Sequence, residues 1–193
     1  IKYNINITLE DMFNRIEKQL TIERIRRCNV CKNSNSIAFC PYCKDKKYKK
    51  VKKQFKIQSY KKKIMFKEEG NELHNYTEPG DIQLTLLPKP HDLFDVDGYN
   101  LIYKQEVSLY EAYTGTYVKF KHLDGKMIHM KFTGKLFTKM LLNDKLHYHI
   151  LSGKGLPTPN NDSNFNQDRG DLYIQFVVKL PISNEKTKLA LYK

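Results

Sequence analysis

Apolar and polar positions alternate along much of this chain, with the period of two that marks half-buried strands. Ile5 and Ile7 open the first strand. From Gln19, Leu20 and Ile22 alternate with polar neighbours, and this strand runs through Arg26 and Arg27 into Cys28. Val51–Ile57 and Ile64–Phe66 repeat the pattern, and Ile82–Leu87 reads as the most buried strand of the first half. The second half predicts strands over Leu101–Leu109, Tyr117–Lys121, Met127–Phe132 and Tyr173–Val178, with Leu146, Tyr148 and Ile150 alternating in the same way. Turn residues separate them at Gly70-Asn71, Pro79-Gly80-Asp81, His122-Leu123-Asp124-Gly125 and Gly153–Pro157. Asp124-Gly125 is a favoured pair for a tight hairpin. Asp92–Asn100 reads as a turn-rich connection carrying one exposed aromatic, Phe94. Thr158–Asp168 reads as a polar loop, and a helix is expected to begin around Glu185–Tyr192.

Helical signals are few and short. Leu9–Phe13 follows Thr8, and a second short helix follows Ser108. Each cap has an acid at the third helical position, Asp11 and Glu111, so each can close a capping box. The two segments, ITLEDMFNR at 7–15 and VSLYEAYTG at 107–115, echo one another. A second echo follows each: PGDIQLTLLP at 79–88 and RGDLYIQFVVKLP at 169–181, where a Gly-Asp turn launches an apolar strand that stops at proline. Two landmarks in the same order predict two copies of one unit. The fold class is therefore all-β: two tandem β-sandwich-like domains of similar topology, with short helices. Domain limits are expected at 1–98 and 99–181, the boundary falling within about Asp97–Tyr103, with 182–193 starting a C-terminal extension. Nothing reads as a βαβ unit, which excludes a nucleotide-binding α/β core.

At 193 residues the chain has room for one large domain or two small ones. It has no apolar run long enough to span a bilayer and no signal-peptide pattern. It opens and closes in mid-pattern, so it reads as a fragment. The formal charge is 34 − 21 = +13, and much of it sits where lysines crowd the stretch from Lys44 to Lys63. Such a run can face water, an acidic protein or nucleic acid.

Chemistry concentrates in four cysteines, the only ones in the chain, paired as Cys28/Cys31 and Cys40/Cys43. The spacing C-x2-C-x8-C-x2-C supplies four thiolates for one tetrahedral structural zinc, in a module over about 28–50 inserted into the first domain. Such a module has almost no apolar core, so the metal would supply its folding energy. Redox dithiols are the alternative. Four thiolates leave no open position for water, and a catalytic zinc does not fit. Unpaired with any disulfide partner elsewhere, these cysteines suit a reducing, cytoplasmic compartment. No nucleophile elbow, phosphate loop or HExxH occurs, and Asp81, Asp124 and Asp171 sit beside glycines as turn acids. No enzyme is read here.

Seven segments occur in an order that resembles the C-terminal substrate-binding region of the DnaJ/Hsp40 co-chaperones: 7–27 ending at Cys28, CPYC at 40–43, PGDIQLTLLPKPHDLF at 79–94, GYNLIYKQEVSLYEAYTG at 98–115, HLDGK at 122–126, GKGLP at 153–157 and RGDLYIQFVVKLP at 169–181. The resemblance implies two β-sandwich domains, with a cysteine-rich zinc module in the first. It also implies an apolar groove for unfolded or extended polypeptide, delivered to Hsp70. The groove residues implied are Ile5, Ile7, Leu20, Ile22, Leu84 or Leu86, and Phe94; Leu84 and Leu86 read equally well as core. Partners implied are client polypeptides and Hsp70, including its acidic C-terminal tail near the lysines. Dimerisation is implied through a region beyond this chain. Neither nucleic acid nor a membrane is expected as partner. An otherwise non-enzymatic scaffold on the same fold and a basic zinc-ribbon nucleic-acid binder are the competing readings. The sequence departs from the family in its module: two cysteine pairs rather than four, and no following glycines, since Cys31 precedes KNS and Cys43 precedes KDK. One zinc is the most it can hold in that manner. The J domain with its His-Pro-Asp loop is expected outside this chain.

Overall fold

The computed structural model describes residues 1–33, 40–44, 47–72, 78–133, 148–158 and 169–179. Leu146, most of the polar loop 158–168, the helix expected at 185–192 and the extension 182–193 lie outside these residues. The chain divides into two compact units, Ile1–Pro90 and His91–Lys193.

The first unit runs β1 (Lys2–Ile7), α1 (Leu9–Phe13), β2 (Glu17–Arg27), α2 (Asn29–Asn33), β3 (Tyr48–Gln58), β4 (Lys63–Phe66) and β5 (Ile82–Pro88). The second runs β6 (Phe94–Asp97), β7 (Asn100–Ser108), α3 (Leu109–Thr114), β8 (Gly115–Lys121), β9 (Met127–Thr133), β10 (Tyr148–Leu151) and β11 (Leu172–Lys179). The first unit holds a sheet in the order β1-β5-β4 and a ribbon β2-β3. The second holds a sheet β10-β11-β7-β6 and a ribbon β8-β9. Both helices that follow the first long strand are capped as the sequence predicts. The Asp11 N–H donates to Thr8 Oγ1 at 3.4 Å, and Ser108 and Glu111 close a full capping box.

The duplication is visible in the register. β1 runs parallel to β5 with Tyr3 opposite Leu84, and β7 runs parallel to β11 with Tyr103 opposite Ile174. The antiparallel neighbour places Ile64 opposite Leu84 in one copy and His149 opposite Ile174 in the other. Two glycine contacts repeat as well. The Gly70 N–H donates to the Gly80 carbonyl at 2.5 Å, and the Gly155 N–H to the Gly170 carbonyl at 2.7 Å. Gly80 and Gly170 in turn donate to Asn71 and Leu156 at 3.0 and 2.9 Å. These bonds hold the turn before the central strand against the end of the preceding turn.

Each core is built on its central strand. Ile82, Leu84 and Leu86 are buried on β5 with Ile7, Leu9, Met12, Phe13, Ile22, Phe55 and Ile57 around the unit's interior. Leu172, Ile174 and Phe176 are buried on β11, with Leu101, Val107, Ala112, Val118 and Phe120 buried in the same unit.

The connection Asp92–Asn100 differs from its sequence reading. Phe94–Asp97 is a strand, antiparallel to β7, and Phe94 is 3% exposed. Its ring packs against Tyr103, Phe120 and His122, at centroid distances of 6.0, 5.8 and 5.9 Å. Phe94 and Val96 do alternate with Asp95 and Asp97, but four residues are too few for the period to stand out between turn residues. β6 covers the outer edge of β7. The outer edge of β1, its counterpart, carries no strand among the described residues.

Candidate functional site

The ribbon β2-β3 carries both chemical features of the first unit. At its far end Arg27 pairs with Tyr48, and the Cys28 N–H donates to the Lys47 carbonyl at 2.9 Å, closing the neck of the insert. Cys28 follows β2 directly, Cys31 lies on α2, and Cys40 and Cys43 share one turn, in which the Lys44 N–H donates to the Cys40 carbonyl at 2.9 Å. All four Sγ atoms lie within 4.8 Å of one another. Cys28 Sγ is 3.9 Å from Cys40 Sγ, and Cys31 Sγ is 3.5 Å from Cys43 Sγ. Four sulfurs about 2.3 Å from a central tetrahedral ion stand about 3.8 Å apart, so the cluster fits a metal. Burial, then hydrogen bonds with Cys43, Cys40 and Cys28, push the Cys31 thiol up to about 12. Burial also raises Cys40, but the backbone N–H groups of Cys43 and Tyr42 outweigh it and bring that thiol down to about 7. Four thiolates packed this closely repel one another, and a divalent cation at their centre removes that cost.

The second feature is the outer edge of β2. A strand edge offers alternate residues whose N–H and C=O point away from the paired strand. Ile25 is such a residue: its N–H donates to Asn71 Oδ1 at 2.9 Å and its carbonyl accepts from the Glu72 N–H at 2.9 Å. Arg27 continues the pattern, its N–H donating to Glu72 Oε2 at 3.2 Å. The segment Glu68–Glu72 thus occupies this half of the edge. It is pinned there by Arg24, which donates to the Glu69 carbonyl at 2.7 Å and to its carboxylate, and by Arg26, which donates to the Glu68 carbonyl at 2.8 Å. Lys53 Nζ reaches the same carboxylate at 2.6 Å. That lysine's hydrogen bond, then Arg24's, hold the Glu69 carboxyl below its usual range. By the same alternation Gln19, Thr21 and Glu23 turn their backbone groups outward, and no described residue pairs with those groups.

The residues singled out for a groove fall into three settings. Ile5 stands opposite Leu86 on the β1–β5 pair, with Ile7 two residues on. Ile7, Ile22, Leu84 and Leu86 are buried, while Ile5 and Leu20 are half-buried. Leu20 pairs with Phe55 and Ile22 with Lys53, both on the ribbon. Phe94 belongs to the second unit's sheet. The segment Glu68–Glu72 and its arginines were missed by sequence reasoning. The available signal was the alternation of Arg24 and Arg26 on β2 against Glu68, Glu69 and Glu72, all after β4.

Two β-rich units that repeat one strand register, the first carrying a four-cysteine cluster at the end of its ribbon, define a class of two-unit all-β proteins. The chain belongs to the DnaJ C-terminal domain family, whose model matches residues 1–181. It is 37% identical over 108 residues to DnaJ homolog subfamily A member 2 from Homo sapiens, covering 55% of this chain and 24% of that protein. It is 29% identical over 182 residues to DnaJ protein homolog 1 from Drosophila melanogaster, covering 94% of this chain and 48% of the relative. DnaJ protein homolog 1 from Allium porrum is 32% identical over 165 residues, covering 81% and 39%. The chain spans about half the length, or less, of these relatives.

Proposed function

We propose that this chain is the polypeptide-binding region of a DnaJ-type co-chaperone, holding unfolded or extended segments for delivery to Hsp70. The observation that carries the reading is the half-filled edge of β2. Glu68–Glu72 already lies along Ile25–Arg27, while no described residue pairs with the outward groups of Gln19–Glu23 beside half-buried Leu20. An extended segment that adds there bonds through its own backbone, so recognition does not depend on its sequence. Apolar side chains of the added segment then meet Leu20 and Ile5, the two members of the expected groove that remain partly exposed. Ile7, Ile22, Leu84 and Leu86 are buried in the core of the same unit. The ion in the cysteine cluster is one Zn2+, held by Cys28, Cys31, Cys40 and Cys43, and it holds the insert folded rather than performing chemistry. Partners are client polypeptides and Hsp70, with dimerisation through a region outside this chain, in a reducing compartment such as the cytoplasm.

The test is a titration of a fluorescein-labelled extended hydrophobic peptide into the zinc-loaded protein, followed by anisotropy. Thr21→Pro removes one outward N–H and sets a ring in the path of an added strand, while proline is tolerated where an edge N–H faces solvent. Binding is expected to weaken by roughly tenfold or more, with an unchanged thermal midpoint. Leu20→Ala is expected to weaken it by several-fold through lost apolar contact. Both effects should persist at high salt. Undiminished affinity in Thr21→Pro would move the site off this edge and sink the proposal.

A further inference from the structure

Three of the lysines that drew attention in the sequence are answered by acids. Lys50 pairs with Glu23 at 3.0 Å, Lys56 with Glu17 at 3.9 Å and Lys53 with Glu69 at 2.6 Å. A different set is not. On the outward face of the β8–β9 ribbon, Tyr117 stands opposite Lys131, Lys119 opposite His129 and Lys121 opposite Met127, and all six are exposed. No acid lies on that face of either strand, and none of Lys119, Lys121 and Lys131 forms an ion pair with a described residue. The neighbouring acids are engaged elsewhere. Glu111 bonds to the backbone and side chain of Ser108 in its cap. Asp124 accepts from the Lys126 N–H at 2.9 Å in the hairpin turn, and Glu106 pairs with Lys179 at 2.5 Å.

Aromatic surface accompanies this charge. Tyr117 is 71% exposed, and the Lys131 ammonium lies 5.4 Å from its ring centroid. Tyr110 and Tyr113, one turn apart on α3 just before β8, are 75% and 70% exposed. The corresponding helix of the first unit has no such residues; α1 buries Leu9, Met12 and Phe13 and exposes Glu10. Exposed ring faces beside unopposed lysines suit a ligand that is both polyanionic and planar in its side groups. An acidic polypeptide satisfies the charge but gives the three rings nothing to stack on. A duplex hides its bases from them.

We propose that the outward face of β8–β9, with α3, binds single-stranded nucleic acid, its phosphates at Lys119, Lys121 and Lys131 and its bases against Tyr110, Tyr113 and Tyr117. This site is independent of the polypeptide edge on the first unit, and either can fail without the other.

The test uses the zinc-loaded chain with fluorescein-labelled 12-nucleotide oligo-U and oligo-dT, at several salt concentrations. Two triple variants remove equal charge: Lys119→Gln/Lys121→Gln/Lys131→Gln on this face, and Lys50→Gln/Lys52→Gln/Lys56→Gln on β3. The first should weaken binding at least about tenfold and reduce the slope of log affinity against log salt by about two, the share of three phosphate contacts on a single strand. The second should change it less than about twofold. Tyr117→Ala should weaken binding about tenfold with the salt slope unchanged, since stacking releases no counterions. Thermal midpoints within a few degrees of the parent establish that each variant is folded. Equal losses from the two lysine triples would reduce the effect to net charge and overturn the proposal. So would a 12-residue polyglutamate peptide that competes as well as oligo-U, or an unchanged affinity in Tyr117→Ala.

Discussion

Gly170→Ala is expected to destabilise the second unit by about 3 kcal/mol or more, lowering its melting midpoint by more than about 10 °C. A methyl group at this position would run into the Tyr99 carbonyl and come within 2.8 Å of Asn100 Oδ1. Neither obstacle can move freely. The Tyr99 carbonyl accepts from the Leu156 N–H at 2.8 Å, and Asn100 Oδ1 accepts from the Asp171 N–H at 2.9 Å. Displacing them breaks the bonds that start β11 beside β7. Gly80→Ala in the first unit is the matched control: its nearest neighbour would be the Asn71 carbonyl at an ordinary 3.8 Å, and its backbone is not left-handed. That variant should cost less than about 1 kcal/mol. Differential scanning calorimetry on both distinguishes close backbone approach from a general intolerance of side chains in Gly-Asp turns. Equal midpoints would overturn the steric account.

Removing the metal is expected to have the second large effect, and a local one. Structural zinc sites bind with apparent free energies on the order of 10 kcal/mol, and among the described residues of the insert the buried cluster is sulfur alone: Cys28, Cys40 and Cys43, with Cys31 against them. Cys40→Ser should carry no metal where the parent carries about one ion per chain. Trypsin should then cleave rapidly at Lys44 and Lys47. The far-UV signal of the sheets should persist, because Arg27 and Tyr48 end a ribbon paired back to Glu17 and Gln58 and fixed by Phe55 and Ile57 in the core. Full metal retention would reject the four-cysteine assignment. Global unfolding would show that the insert supports the sandwich rather than hanging from it.

What could be read from the sequence was local. Both helix caps need only residues three apart, and the strands declare themselves by alternation within a few residues. The cysteine cluster is written in its spacing. The duplication was legible because Gly-Asp turns and capped helices repeat in order, and the structure adds that the repeated glycines make the same backbone contact in each unit. The features that escaped depend on distant partners. Phe94 looked exposed because Phe120 and His122, which help bury it, lie far along the chain. The blocked half of the β2 edge depends on Arg24 and Ile25 meeting Glu69 and Asn71, 45 and 46 residues away. Which lysines of the crowded stretch are paired was also hidden, because the acids that meet Lys50, Lys53 and Lys56, namely Glu23, Glu69 and Glu17, come from other segments.

In both units the first long strand lies parallel to the last, Lys2–Ile7 beside Ile82–Pro88 and Asn100–Ser108 beside Leu172–Lys179. Such pairings have high contact order, and the loop entropy must be met before the contact forms. During synthesis the first unit therefore cannot close its main sheet until residue 88 has left the ribosome, although the β2-β3 hairpin and its cysteine insert lie wholly within the segment already made. The hairpin is available to fold early, and its open edge is exposed before the core behind it exists. Glu68–Glu72, which follows β4, is the part of the chain that covers the Ile25–Arg27 half of that edge once it is made.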